Sequence, residues 1–264
     1  MVEDRSKDIE RVRKRWDEHA NRYDDWYETF EGAVEHYVEW ELLKGYLPPN
    51  NDAKILDAAG GTGRITLPLA KMEYSVTLCD ISSRMIDVAK QKLLKEGVSD
   101  RVRILECDVC NLPFPDESFD FLLCWDGMIE AAKELIRVTK RGGKISIFLI
   151  NRCRRAIDLF PEDPASALAL IKSRSDYIYH DEEKHRAVSA EEARKSFETE
   201  GIRVIDIYAV CGWMDVLPIP EKVLKSNNWD EKFFNQVTEM VLGLSKEPSM
   251  KGMSRHLVIY GQKI

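Results

Sequence analysis

The chemistry in this sequence centres on one short stretch, Ile55-Leu56-Asp57-Ala58-Ala59-Gly60-Gly61-Thr62-Gly63-Arg64. An apolar strand-like run leads into it and a helical run leaves it. Small residues at such a junction let a ligand approach backbone N–H groups closely. A phosphate-cradling P-loop needs Lys and then Ser or Thr after its last glycine, but Arg64 and Ile65 stand there. A dinucleotide fingerprint starting at Gly61 wants a small third residue where Thr66 stands, so that match is weak. About 20 residues past the loop, Asp80 ends the run Val76-Thr77-Leu78-Cys79-Asp80. A carboxylate at the end of a second strand can accept from both hydroxyls of a ribose.

These residues need a frame, and the hydrophobic pattern supplies one. Strand-like runs fall at 54–58, 75–79, 102–106, 119–124 and 144–150, with helical runs at 64–72, 82–96 and 128–140 between them. Such alternation predicts an α/β, Rossmann-like, mainly parallel sheet with helices on both faces. Further on, Ser189 and Glu192 make a capping box that opens a helix, Gly201 ends it, and strands follow at 202–210 and 256–260. The expectation is seven strands, the last antiparallel, in one domain spanning 1–264. Residues 1–50 form N-terminal helices, 51–150 the cofactor-binding half, and 151–188 and 211–254 two insertions on the acceptor side.

The order of motifs resembles class I S-adenosylmethionine-dependent methyltransferases, in particular the ubiquinone/menaquinone-biosynthesis-type subgroup. Leu56-Asp57-Ala58-Ala59-Gly60-Gly61-Thr62-Gly63 is similar to that family's motif I. The resemblance implies S-adenosylmethionine as cofactor, held by Asp57, Ala59, Gly60, Gly61 and Gly63. Asp80 would clamp the ribose, with Ile81 beside it. Cys107-Asp108-Val109, followed by Asn111-Leu112-Pro113-Phe114, resembles the adenine-recognition turn, in which Asp108 would accept from the amino group and the Val109 backbone would meet a ring nitrogen. Cys124 falls near the methionine end, contributing backbone and packing more than thiol chemistry. Residues 135–144 are similar to the family's last helix, turn and fifth strand. Tyr23-Asp24-Asp25-Trp26-Tyr27 resembles the aromatic segment that covers the cofactor; the alternative is that Tyr23 and Trp26 pin a helix to the core, but an apolar pin would not need three aromatics with polar handles so close together. The resemblance covers about residues 20–150 well and the C-terminal third only loosely.

Two departures stand out. Ala59 occupies a usual glycine position, a change of small consequence if the backbone there keeps φ negative. The stretch Trp125–Lys133 is several residues shorter than usual, at the carboxyl ends of the strands where acceptors sit. Trp26, Trp125, Arg152 and Trp213 are the acceptor-side candidates. Arg152, with Arg154 and Arg155, either meets an anionic acceptor or solvates a loop. No general base can be assigned, and none is needed unless the acceptor must lose a proton early.

Cys107 and Cys110 have CxxC spacing, but no second pair or spaced His set accompanies them, so no metal is expected. His180 and His185 flank a charged stretch without HExxH spacing and read as a solvated loop. The 264 residues carry a net charge of -7, which argues against broad electrostatic binding to nucleic acid or anionic membrane. There is no apolar run near the roughly 20 residues of a membrane span, and no leader-like N-terminus. Six cysteines in this length read as reduced thiols in a cytoplasmic protein. The function expected is methyl transfer to a small-molecule acceptor by direct displacement. Two alternatives stay open: methylation of a modified tRNA nucleotide, suggested by Arg152–Arg155 and a loose C-terminal similarity, and a non-catalytic cofactor-binding regulator.

Overall fold

The computed structural model describes residues 2–125, 129–172, 177–180 and 183–264. The N-terminal part is helical: α1 (Val2–His19), two 3-10 turns (Ala20–Arg22 and Asp24–Glu28) and α2 (Phe30–Lys44). The alternating part follows as β1 (Lys54–Ala58), α3 (Thr66–Lys71), β2 (Ser75–Asp80), α4 (Ser83–Lys95), β3 (Val102–Glu106), β4 (Phe119–Cys124), α5 (Ala132–Val138) and β5 (Thr139–Asn151). After it come α6 (Arg152–Leu159), α7 (Pro164–Lys172), β6 (Tyr177–His180), β7 (Glu183–Val188), α8 (Ala190–Thr199) and β8 (Ile202–Val210). The chain closes with α9 (Glu221–Leu224), α10 (Glu231–Lys246) and β9 (His256–Lys263).

Strands β3-β2-β1-β4-β5 are parallel neighbours, and β9 joins β5 and β8 in antiparallel fashion. These are the seven strands expected from the sequence, with helices on both faces. Side-chain alternation along each strand builds two cores. Leu56, Leu122, Ile145, Ile147 and Ile259 face α5 and α8 through Leu135, Val138 and Phe197. Ile55, Phe121, Leu123, Phe148 and Val258 face α2, α3 and α10 through Val34, Leu69 and Val241. A period-two strand buried on both faces needs apolar residues at nearly every position, which is what the strand-like runs supplied.

Two further strands, β6 and β7, form a hairpin inside the first insertion. The sequence reads that stretch as a solvated charged loop because it alternates charges with few apolar residues; the structure pairs its backbone instead, and residues 181–182 lie outside the described set. Ile150 pairs with His256 of β9 and also with Ala187 of β7. A strand has only two edges, so β7 lies on the β4 edge of β5. The β4 register ends at Cys124 opposite Ile147, so β7 sits past the carboxyl end of β4. The hairpin thereby extends the sheet where β4 stops.

Candidate functional site

The glycine loop lies between β1 and α3, and its backbone is held from three sides. The Gly60 N–H donates to the Cys79 carbonyl at 3.0 Å, and the Gly63 N–H to the Gly60 carbonyl at 2.9 Å. The Gly61 N–H donates to Asp80 Oδ2 at 2.9 Å. A Cβ on Gly60 would lie 2.9 Å from both Asp57 Cγ and Leu78 Cγ, so glycine is required there by close approach. Gly61 is different: its φ is +54° and the space beside it is open. Ala59 has φ +57°, not the negative value that would have made its substitution for glycine harmless. The left-handed conformation costs a residue with a Cβ roughly 1 kcal/mol.

Asp57 lies beneath this loop, buried, with Oδ2 accepting from the Thr66 hydroxyl at 2.5 Å. Burial pushes its carboxyl up to about 7, although Thr66 and Arg64 pull the other way. Its observed contacts therefore support the loop from below. Asp80 is also buried, and its two oxygens take the N–H groups of Gly61 and Ser82 at 2.9 and 2.8 Å. Burial raises its pKa, and those N–H groups counteract the rise. A carboxylate has about four lone-pair positions, so two hydrogen bonds leave acceptor capacity. Asp108 follows β3, half-buried, and accepts from the Cys110 N–H at 2.8 Å in a local turn that fixes Val109 between them. Cys124 is buried at the end of β4 and Ile81 follows Asp80. The structure thus brings Asp57, Ala59, Gly60, Gly61, Gly63, Asp80, Ile81, Asp108, Val109 and Cys124 to the carboxyl ends of β1–β4.

The N-terminal segment closes over this edge through polar contacts that the sequence pattern did not reveal. Arg13 Nε donates to the Ile81 carbonyl at 3.2 Å, and its guanidinium meets Glu106 at 3.2 Å. Asp17 accepts from the Ser82 hydroxyl at 2.6 Å and from the Arg84 N–H at 3.1 Å, at the start of α4. Asp24 accepts from the Thr62 hydroxyl at 2.7 Å and pairs with Lys92 at 2.6 Å. Their residue types are ordinary for a charged helix, and only the fold shows that they meet the loop ends.

Tyr23 packs edge-on against Trp16 and near Tyr27, and a cavity of about 360 Å³ is lined by Trp16, His19, Arg22, Tyr23, Trp26 and Tyr27. Trp26 is 41% exposed, so it does not pin a helix to the core. Arg64, just past the loop, points away from it. Its guanidinium pairs with buried Glu39 at 2.8 Å, lies over Tyr27 at 4.3 Å and reaches Trp125 at 5.8 Å. Arginine can only donate, so its 2.8 Å contact to His36 Nδ1 makes that nitrogen the acceptor and puts the ring proton on Nε2. Burial lowers the His36 pKa to about 4, with Arg64 acting in the same direction. A sequence signal for this cluster did exist: Glu35 and Glu39 fall on the apolar stripe Phe30, Val34, Val38, Leu42 of α2.

The acceptor-side candidates are dispersed. Trp125 stacks on Phe148 at 4.5 Å and donates Nε1–H to Ser146 at 2.9 Å, at the mouth of β4. Residues 126–128 of the shortened stretch lie outside the described set. Arg152 pairs with Glu192 at 3.0 Å. Arg154 is committed to Asp158, Asp215 and two backbone carbonyls. Trp213 corrects the sequence expectation: it is 1% exposed, packs in the α2/α10 core and donates to Ser245 at 3.2 Å. Its neighbours Gly212 and Asp215 misleadingly suggest a polar loop, whereas the indole anchors that loop to α10.

A parallel sheet in the order 3-2-1-4-5 with an antiparallel final strand, and a glycine loop flanked by acidic strand ends, is the class I methyltransferase architecture. Residues 55–143 match the family described as a methyltransferase domain. Over 165 residues the chain is 29% identical to the ubiquinone/menaquinone biosynthesis C-methyltransferase UbiE of Pseudomonas paraeruginosa, covering 59% of this chain and 64% of that protein. Over 136 residues it is 34% identical to the UbiE of a Bradyrhizobium species, covering 47% of this chain and 54% of the relative. The chain thus spans less than two thirds of the length of either. A Thermotoga maritima structure described as a methyltransferase dependent on S-adenosylmethionine superposes with a TM-score of 0.58 at 20% identity, covering 94% of this chain and 98% of the other. The chain therefore has the class I methyltransferase fold, and residues 55–143 within it are similar to a methyltransferase domain. Among the described residues, no helix is long and apolar enough to cross a membrane.

Proposed function

We propose that this protein binds S-adenosylmethionine along the carboxyl edge of β1–β4 and transfers its methyl group to a small-molecule acceptor. The observation that carries the reading is the pairing of Gly61 with Asp80: open space beside a left-handed glycine, next to a carboxylate with acceptor capacity left. The charged groups bonded to the loop or beneath it are the carboxylates Asp24, Asp57 and Asp80, while the nearby cations Lys92 and Arg64 are paired with Asp24 and Glu39. That set suits a cationic nucleoside and opposes a phosphate.

In this reading Asp80 accepts from the ribose hydroxyls, with Ile81 beside it, and Asp108 and the Val109 backbone meet the adenine. Asp57 acts through the loop, as a positioning residue. The bound cofactor supplies a methyl group already activated on a sulfonium sulfur. What remains for the chain is alignment and exclusion of water. Residues 1–50 act as the lid, latched by Arg13, Asp17 and Asp24, with Tyr23 and Trp26 at its aromatic mouth. The two insertions, 151–188 and 211–254, bound the acceptor side, with Trp125 as its inner wall. Arg152, paired to Glu192, shapes that rim rather than presenting a free cation. The C-methyltransferase relatives support a carbon acceptor on a small molecule. The negative net charge is in keeping with a small acceptor rather than a nucleic acid.

Incubation with methyl-labelled S-adenosylmethionine and a panel of carbon, oxygen, nitrogen and sulfur acceptors tests the reading. Label should move to a small molecule, foremost at carbon, above the no-enzyme background. Label transfer to none of them by protein that binds the cofactor would leave a binding protein rather than an enzyme.

A further inference from the structure

The edge that faces the cofactor in this reading also carries a pair of thiols that methyl transfer does not use. Strands β2 and β3 run parallel with Cys79 opposite Leu105 and Asp80 opposite Glu106. Cys107 is the next residue, and its N–H donates to the Asp80 carbonyl at 2.9 Å. Cys107 packs against the same core cluster as Cys79, near enough for the two thiols to perturb one another. Cys79 is buried, whereas Cys107 is only partly so. Each cysteine directly precedes an acidic residue of the site, Asp80 or Asp108.

We propose that Cys79 and Cys107 are a peroxide-oxidisable dithiol whose disulfide weakens cofactor binding by drawing the Asp80 and Asp108 strand ends together. The neighbouring Cys79 thiol holds Cys107 below the ordinary thiol range, while Cys107 and burial hold Cys79 well above it. Cys107 is therefore the sulfur that reacts first, being the better thiolate and the more accessible. Its thiolate attacks a hydroperoxide oxygen, the O–O bond breaks, and the departing oxide leaves as water or alcohol after taking a proton. Cys107 is then a sulfenic acid. The Cys79 sulfur displaces its hydroxyl, forming the S–S bond and releasing water, with the Cys79 proton completing it. Two thiols lose two electrons and the peroxide gains two. The sulfurs must close to about 2.05 Å, and Cys107, just past the end of β3, can supply that movement. Cys110 and Cys124 are the competing thiols on the same edge.

The test treats the full chain with hydrogen peroxide and maps disulfides by mass spectrometry under non-reducing conditions. S-adenosylhomocysteine binding is measured by calorimetry before oxidation, after it, and after dithiothreitol. We expect a Cys79–Cys107 cross-link, at least tenfold weaker binding, and recovery on reduction. Cys110→Ser should still cross-link; Cys107→Ser should not, and its binding should resist peroxide. A Cys107–Cys110 link, conversion of Cys107 to sulfinic acid without a link, or a Cys79–Cys107 link that leaves affinity unchanged would each overturn the proposal. The effect on binding rests on the cofactor reading above. Reduced protein that fails to bind S-adenosylhomocysteine would refute that reading and the binding half of this proposal, while the disulfide map still decides the thiol chemistry.

Discussion

The Thr62 hydroxyl, in the middle of the glycine loop, donates to Asp24 of the N-terminal segment at 2.7 Å. The other oxygen of Asp24 meets Lys92 of α4, so one side chain joins the segment, the loop and the helix after β2. Access to the loop is thereby coupled to the position of residues 20–28.

Removing that link should loosen the segment more than the domain. For Asp24→Ala we expect tryptic cleavage around Arg22 to speed up by roughly fivefold or more, with global stability falling by only about 1 kcal/mol. Proteolysis and denaturant midpoint, measured side by side, separate the two. Equal losses in both would show that the segment is part of the core rather than a latch.

Ala59 sits at φ +57°, where a Cβ is strained. Ala59→Gly should therefore raise stability by about 0.5–1 kcal/mol, the reverse of the usual effect of introducing glycine. Urea unfolding with an unchanged slope and a higher midpoint is the expected record. A lower midpoint would mean that alanine is the better residue there.

Glu35 is buried beside Glu39, accepting from the Gly212 N–H at 2.8 Å, and burial raises its pKa from 4.5 to about 7. The folded state therefore holds this proton more tightly than the unfolded chain. Its contribution to stability is greatest below about pH 4.5 and is lost as pH rises through 7. Glu35→Gln keeps an oxygen for Gly212 without the charge. It should gain on the order of 2 kcal/mol over the parent at pH 8 and under about 1 kcal/mol at pH 5. A pH-independent difference would refute the assignment.

The sheet was legible because β1–β4, β8, β9 and the 144–150 part of β5 are apolar runs punctuated by glycine or a charge, whereas the polar start of β5 at Thr139–Gly143 was not. Ser82, Ser189 and Asp230 mark helix starts, accepting from Met85, Glu192 and Phe233. The β6–β7 hairpin was not legible, because paired backbone at the end of a sheet asks little of its side chains. Asp80 stood out because it terminates a strand, and Asp108 because the turn after β3 resembles a family motif. Arg13, Asp17 and Asp24 could not, because their partners are Ile81, Ser82, Arg84, Glu106, Thr62 and Lys92, distant in sequence and joined by polar contacts without a periodic signature. Trp213 shows the reverse failure: an aromatic in a polar loop reads as a pocket wall, but its ring fills the core.

Calorimetric titration of the wild-type chain and of Asp80→Asn with S-adenosylhomocysteine tests the central claim most directly. The account predicts one site per chain in the wild type. It predicts at least tenfold weaker binding in the variant, the size expected for losing a hydrogen bond to a charged acceptor, about 1.5–3 kcal/mol. No binding by the folded wild type, or equal binding by both proteins, would contradict it.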